Sequence, residues 1–326
     1  MCYSAQVVQI ARKLNRTLGV RIDYAASEAL FLRRLEEPRI AISRGFEANF
    51  EAPVNDVERR IKAAIDAHRA RAATQVERDL FLQKTRLVNA ERLLLEKETK
   101  KAREDARIAT NKIEALGAKL SDLRRSESRP EDDRIFPMVY AGVIIRADGH
   151  NVLTPMRYFC RPAGKPAAYD RKFPGLYNAR RDNLEKFWAE QFGSHHAIAV
   201  VDSFYENVAF HAQEHRPLNP GEASRNVVLQ FSPEPPQSML VACLWSRWTG
   251  SGGTGSNEPS VCGFAAITDE PPPEVAAAGH DRCIVNLRPE NVEGWLTPAG
   301  RSTQELQSLL QDRATPLYQH RPLRAA

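Results

Sequence analysis

The pattern of hydrophobic and polar residues differs between two regions of the chain. Residues 55–116 contain neither glycine nor proline and are rich in Ala, Arg, Glu, Lys and Leu, a composition typical of helices. Apolar residues recur there at heptad-like spacing: Val57, Ile61, Ala64, then Ala106, Ala109, Ile113, Leu116 and Leu120. The pattern predicts a long helical region, either a projecting coiled coil or a hairpin that folds back on itself.

The pattern of hydrophobic and polar residues changes after a polar stretch, SESRPEDD, at residues 126–133. Short apolar runs rich in β-branched and aromatic residues follow, separated by turn residues, and these predict strands. The candidates are MVYAGVII, HAIAVVDSFYE, VVLQF, MLVACLW, VCGFAAIT and RCIVNL. We expect one helix at residues 183–191 and a flexible loop at TGSGGTGSNEPS, residues 249–260.

Together, the two patterns predict an α+β fold with an antiparallel-rich β core and a large helical insertion. We assign residues 1–23 and 131–326 to the core domain, and residues 24–130 to the inserted helical region. A chain of 326 residues is long enough for such a core with an insertion.

Composition and charge narrow the class of protein. The formal net charge of +5 permits a polyanionic partner without requiring one. No basic segment followed by an apolar one opens the chain, and no apolar run is long enough for a membrane span, so we expect a cytoplasmic protein. No zinc-type Cys/His spacing occurs, and no metal or cofactor is expected. We expect buried, reduced thiols at Cys160, Cys243, Cys262 and Cys283.

The first two residues, Met1 and Cys2, offer a candidate reactive group. Removal of Met1 would leave Cys2 with a free α-amine beside its thiol. Such an amine is partly neutral near pH 7 and condenses with aldehydes to an imine, onto which the thiol closes as a thiazolidine. A ring-opened abasic site in DNA offers such an aldehyde.

Three further segments, in order, carry a family resemblance. They are NAR at residues 178–180, DSFYEN around Glu206, and GHDRCIVNL around His280. With the Met-Cys start and PMRYFCRP at residues 155–162, the chain resembles the SRAP family, the SOS response-associated peptidases or abasic-site processing proteins. The resemblance covers residues 1–23 and 135–300, with the helical stretch as an insertion, and implies an SRAP-like core.

The resemblance also implies roles for individual residues. Cys2, Asn178, Glu206 and His280 would be catalytic: Glu206 would deprotonate the Cys2 amine, and His280 would protonate the sugar ring oxygen. Arg180 and Arg282 would contact DNA, and Tyr158 and Phe159 would stack on bases at the lesion. The chain departs from the family at Tyr3, Ser4, Ser203 and Asn207, which alters the expected DNA contacts and leaves the catalytic set in place.

The function implied is that of an abasic-site sensor in the DNA damage response. It would crosslink covalently to abasic sites in single-stranded DNA through Cys2, and removal of Met1 would be its peptidase step. Two alternatives remain open at this point. One is an N-terminal-nucleophile amidohydrolase of the glutamine amidotransferase type. The other is a non-enzymatic coiled-coil scaffold, and the helical insertion could pair with a second copy or another protein.

Overall fold

The computed structural model describes residues 4–214, 216–248 and 261–323. They divide into two compact units: the first is built from residues up to Ser27, from Ile40–Ala52 and from Arg129 onward, the second from Glu28–Arg39 and Pro53–Ser128. The loop predicted at residues 249–260 lies outside the described residues. In the part of the chain that is described, no helix combines the length and apolarity needed to cross a membrane.

The strands belong mainly to the C-terminal half of the chain, as the sequence predicts. They are β1 (Ser4–Val7), β2 (Val20–Ile22), β3 (Arg134–Ile135), β4 (Tyr140–Ala147), β5 (His150–Arg157), β6 (Asn178–Arg180), β7 (His196–Ala209), β8 (Asn226–Glu234), β9 (Met239–Trp248), β10 (Val261–Asp269), β11 (Cys283–Ile284), β12 (Asn286–Leu287) and β13 (Leu317–Pro322).

Two long helices dominate the helical content, and the others are short. The helices are α1 (Ala11–Leu18), α2 (Tyr24–Glu36), α3 (Arg44–Glu47), α4 (Asp56–Glu96), α5 (Lys100–Arg124), α6 (Ala168–Lys172), α7 (Ala189–Phe192), α8 (Phe210–Gln213), α9 (Pro273–Ala277), α10 (Val292–Leu296) and α11 (Thr303–Gln311). The predicted α+β class, with a β core and a long helical region, is therefore confirmed.

The core of the first unit is a closed sheet. Its strands follow the order β9–β10–β5–β4–β7, and β7 pairs with β9 to complete the circuit. The pairs are antiparallel except for β10 with β5, which run parallel. Closure leaves no free edge among these five strands. On β9 and β10 nearly every side chain is buried or half-buried, which explains why both read as continuous apolar runs.

A glycine allows the chain to close at one point of this circuit. Gly263 on β10 lies opposite Arg157 on β5, and a Cβ atom at position 263 would stand 2.1 Å from the carbonyl oxygen of Phe159. No side chain fits there, because the obstructing atom belongs to the backbone. Gly263 therefore sets the spacing between β10 and the end of β5.

The long helical region is a hairpin, which decides between the two arrangements left open by the sequence. Helices α4 and α5 pack side by side, and the connection between them, residues 97–99, opens the polar stretch KETKKAREDA at residues 97–106. Arg86 bonds to Asp105 at 2.5 Å, and Arg124 pairs with Glu77. The Thr99 hydroxyl caps α5 by accepting the amide N–H of Ala102.

Some boundaries differ from those expected. Ile40–Ala52, assigned by sequence to the insertion, belongs to the first unit, where Ile42 bridges to Tyr140 and both Phe46 and Phe50 are fully buried. The expected strand RCIVNL is two short strands, β11 and β12, because Val285 between them donates to Ile267 and accepts from Ala242. This segment therefore crosses from β10 to β9.

Two further expectations also need correction. The helix expected at 183–191 is a 3-10 turn at Arg181–Asn183 followed by the short α7. Cys160, Cys243 and Cys283 are buried free thiols as expected, but Cys262 is only half-buried. Burial raises the pKa of each of the three buried thiols to about 12, so they stay protonated near neutral pH.

Replacing Gly263 with alanine should destabilise the first unit by about 2 kcal/mol or more, since the added methyl group must push the Phe159 carbonyl away from β10. Gly193→Ala is the matched control: it has open space around its Cβ position, and we expect a change within about 0.5 kcal/mol. Urea unfolding of both variants measures the difference. Equal stabilities would contradict the close approach at Gly263.

Candidate functional site

Strand β7 carries Glu206 into the interior of the first unit. Its neighbour Tyr205 lies opposite Ser4 of β1, and Glu206 itself lies opposite Leu229 of β8. Side chains alternate along a strand, so Glu206 points to the opposite side from Tyr205. Glu206 is 1% exposed, and an ionised carboxylate buried this deeply requires a close polar partner.

His280 supplies a polar group at that position. It follows α9 through a turn in which Gly279 has a φ of 91°, a left-handed conformation that favours glycine. A Cβ atom at Gly279 would also stand 2.9 Å from Val208 Cγ1 on β7. The tight turn places the His280 Nε2 atom 3.2 Å from Glu206 Oε2.

The other ring nitrogen of His280 faces the backbone of Arg282. Nδ1 lies 2.9 Å from the Arg282 carbonyl oxygen and 3.3 Å from its amide nitrogen. A proton on Nδ1 satisfies the carbonyl, whereas a proton on Nε2 lets Nδ1 accept the amide N–H. The surroundings of the ring therefore accommodate both neutral tautomers.

The two tautomers have different consequences for Glu206. With the proton on Nε2, the imidazole donates to an ionised carboxylate; with the proton on Nδ1, the carboxyl group must itself carry the proton that joins the two atoms. Burial lowers the pKa of His280 below its ordinary value, which disfavours the imidazolium form. The two states differ by one proton: the first leaves a buried carboxylate and the second is uncharged. The pair can therefore release and take up a proton while the imidazole stays neutral.

Asn178 and Arg180 reach the same region of the fold on β6. This strand runs parallel to β10, with Asn178 opposite Ala266 and Arg180 opposite Thr268. On its other side the end of β10 pairs with β11, which follows His280 in the chain: Thr268 also lies opposite Ile284. The end of β10 therefore pairs with both the NAR motif and the strand that follows His280. Asn178 is buried, while Arg180 is exposed and forms a bidentate ion pair with Asp182 at 2.7 and 3.0 Å.

A groove of about 600 Å³ opens beside these residues. Asn178, Arg180 and Arg282 all line it, and Asp281 connects it to His280 in the chain. Its other lining residues include aromatic and apolar side chains: Phe173, Leu176, Phe187 and Trp188. The groove therefore combines two guanidinium groups with aromatic surface.

Phe173 and Phe187 are binding candidates that the sequence did not indicate. They are 36% and 38% exposed, which is unusual for phenylalanine. The Phe173 ring packs on Tyr169 at 4.2 Å between centroids, and the Phe187 ring meets Trp188 at 4.9 Å. The sequence signal available for Phe173 is its basic and turn-rich setting, RKFPG, just before the NAR motif.

Tyr158 and Phe159, in contrast, do not line this groove. Both are 2% exposed. Tyr158 stacks on Phe264 with centroids 5.0 Å apart and meets Tyr177 edge-on at 5.6 Å. This corrects the expectation that they stack on bases, because both rings are already covered by the protein core.

Cys2 lies outside the described residues, and a single residue connects it to Ser4 of β1. Consecutive Cα atoms are about 3.8 Å apart, and Cys2 is therefore within about 7.6 Å of the Ser4 Cα. Ser4 is fixed on β1 opposite Tyr205, next to Glu206 in the chain. Its buried hydroxyl accepts a hydrogen bond from Arg134 Nε at 3.0 Å.

A second groove, of about 740 Å³, lies on the other face of β7. Ser203 and Tyr205 line it, and Glu206 does not. In neither groove, nor elsewhere among residues 4–214, 216–248 and 261–323, do three or more His, Cys, Asp or Glu side chains form a group that could hold a metal ion.

Comparison with known proteins gives a family match and several structural likenesses at low sequence identity. The model of the SOS response associated peptidase (SRAP) family matches residues 92–325, a span that includes Asn178, Glu206 and His280 and begins after Cys2. No curated protein matches the chain.

The structural likenesses include two proteins from Bordetella bronchiseptica and one from Bacteroides thetaiotaomicron. A protein from B. bronchiseptica is 16% identical over 62% of this chain and 90% of that one, with a TM-score of 0.45. The B. thetaiotaomicron protein is 15% identical over 59% and 77%, also with 0.45. A phage-related protein from B. bronchiseptica is 19% identical over 59% and 81%, with 0.42. These likenesses are too weak to support a statement about function.

Gly279→Ala should displace His280 from Glu206, because the added methyl group collides with Val208 and the backbone loses its left-handed turn. We expect a loss of about 1–3 kcal/mol in the free energy of unfolding and a changed NMR signal of the His280 ring. Gly221→Ala is the matched control, since its φ is 81° but no atom lies near its Cβ position. An unchanged His280 signal in Gly279→Ala would contradict this account of the turn.

Proposed function

The chain belongs to the SRAP family of SOS response-associated peptidases, and from this premise we propose that mature Cys2 forms a covalent crosslink with abasic sites in single-stranded DNA. Removal of Met1 is the peptidase step that exposes the Cys2 amine. The observation that carries the proposal is the buried pair of Glu206 and His280, whose Oε2 and Nε2 atoms are 3.2 Å apart. Glu206 lies on β7 next to Tyr205, which pairs with Ser4, two residues from Cys2 in the chain.

The chemistry follows from what each group can donate or accept. Opening of the abasic sugar moves the proton of its hydroxyl group to the ring oxygen. Glu206 accepts the hydroxyl proton while His280 passes its Nε2 proton to the ring oxygen, and a proton then moves from Glu206 to Nε2, which restores the neutral imidazole and the carboxylate. Glu206 accepts a proton from the Cys2 amine as nitrogen attacks the aldehyde carbon. Loss of water gives the imine, and addition of the thiol across the C=N bond moves its proton to nitrogen and closes the thiazolidine.

Two features support single-stranded DNA as the substrate. The groove beside Asn178 offers Arg180 and Arg282 for phosphates and Phe173 and Phe187 for stacking on unpaired bases. Arg180 is paired with Asp182 in the free protein, so a phosphate would have to replace that carboxylate. Exposed ion pairs contribute little stability, and the exchange therefore costs little.

Glu206→Gln should slow crosslinking by about a hundred- to ten-thousandfold, because the amide cannot accept the proton from the amine. Asp202→Asn is the matched control: it makes the same chemical change on β7 at a residue that lines the second groove. Mature protein is mixed with an oligonucleotide containing one abasic site and run on a denaturing gel.

The same gel includes Cys2→Ala, which should give no shifted band. If wild-type protein gives no shifted band, or Cys2→Ala shifts as strongly as wild type, the proposal is wrong. Hydrolysis of glutamine by the wild-type protein in the absence of DNA would instead favour the amidohydrolase alternative.

Replacing Phe173 or Phe187 with alanine should weaken binding of intact single-stranded DNA by about 1–3 kcal/mol for each base that loses its stacking partner. Phe136→Ala is the control, because Phe136 is also 36% exposed but does not line this groove. Fluorescence anisotropy with a labelled oligonucleotide measures the three affinities. Equal affinities would exclude this groove as the DNA-binding surface.

A further inference from the structure

Helix α4 presents an apolar stripe to solvent. Phe81, Val88 and Leu95 are spaced seven residues apart on it and are 71%, 54% and 90% exposed. The buried side of the same helix carries Val76 and Ala90, about 140° and about 180° away around the helix axis from Phe81. A stripe of this size with heptad spacing is typical of a helix that packs against another helix.

We propose that this stripe, defined by Phe81, Val88 and Leu95 and called the outer stripe below, binds the outer stripe of a second copy of this chain in antiparallel orientation. The resulting dimer has a two-fold axis between Arg86 and Leu87. Such an interface uses the same surface on both copies and so must be complementary to itself. Three observations meet that requirement.

The first is a hollow at one end of the stripe and a protruding side chain at the other. The hollow measures about 460 Å³ and is lined by Thr74, Glu77, Arg78, Phe81 and Leu82. The two-fold axis sets Leu95 of the second copy beside Arg78 and next to this hollow. Leu95 is the side chain that would fill it, as a knob enters a hole in a coiled coil.

The second observation is charge complementarity along the flank of the stripe. Lys84 and Glu91 are both exposed and lie on opposite sides of the two-fold axis, about 4 Å and about 7 Å from it along the helix. The two side chains are thus offset by about 3 Å along the interface, which the long lysine side chain can span. Lys84 of each copy therefore meets Glu91 of the other, which gives two opposite-charge contacts.

The third observation concerns Arg92, which would otherwise interrupt the apolar surface. The same axis sets Arg92 of one copy against Phe81 of the other. Arg92 is exposed, and a guanidinium group over a phenylalanine ring is attracted to its face. The antiparallel arrangement thus gives the cationic side chain on the stripe a favourable neighbour.

Sedimentation velocity of the full chain over a range of concentrations tests the proposal. We expect a concentration-dependent dimer, and we expect Lys84→Glu and Glu91→Lys each to raise its dissociation constant about tenfold or more. An equimolar mixture of the two variants restores opposite charges at both contacts and should associate as tightly as wild type. Circular dichroism of each variant checks that the helices remain folded.

Leu95→Glu should also abolish the dimer by placing a charge at the hollow. Leu317→Glu on β13 is its matched control, since Leu317 is another exposed leucine away from the stripe. A monomeric wild-type protein at its highest soluble concentration would overturn the proposal. So would a dimer unaffected by Leu95→Glu, or charge variants that fail to recover when mixed, since either would place the contact elsewhere or in another register.

Discussion

A carboxylate and an imidazole buried 3.2 Å apart, Glu206 and His280, form the contact on which the chemistry of this fold depends. Burying two ionisable groups costs several kcal/mol unless their charges and protons are matched. The strand pairing of β7 fixes Glu206, and the left-handed turn at Gly279 fixes His280. The alternative contacts of the imidazole with Arg282 let His280 stay neutral in either tautomer, whether Glu206 is ionised or protonated.

The closed sheet explains how distant segments meet at this pair. Strand β7 is long enough to pair with β9 and β4 at its start, and with β1 and β8 towards its end. Ser4 therefore lies opposite Tyr205, next to Glu206, although about 200 residues separate the two strands in the chain. Strand β10 does the same for Asn178 and the segment after His280. The helical hairpin takes no part in these pairings, which is consistent with its being an insertion.

Much of this arrangement can be predicted from the sequence, because strand and helix patterns depend on local residues. The apolar runs predict the positions of β4 and β7–β10. The long segment without glycine or proline predicts the helical region that contains α4 and most of α5. The order of the motifs selected Asn178, Glu206 and His280, and the structure puts the last two in contact. The hairpin could not be distinguished from a single long helix, since the polar stretch around residues 97–99 fits either.

The aromatic residues show where sequence reasoning fails. Tyr158 and Phe159 occur in a motif, yet the core covers them; Phe173 and Phe187 occur in none, yet they line the groove. Exposure is decided by packing between distant segments, which no local pattern contains. The placement of Ile40–Ala52 in the first unit depends in the same way on its bridge to Tyr140.

The central claim is that the reacting group is the aminothiol of mature Cys2, and the intact mass of its DNA adduct tests it most directly. Mature protein is incubated with an abasic oligonucleotide, in parallel with protein whose α-amine has been acetylated and whose thiol is free. The account predicts an adduct equal to the sum of the two masses less one water, and no adduct with the acetylated protein. An adduct formed equally well by the acetylated protein would contradict it.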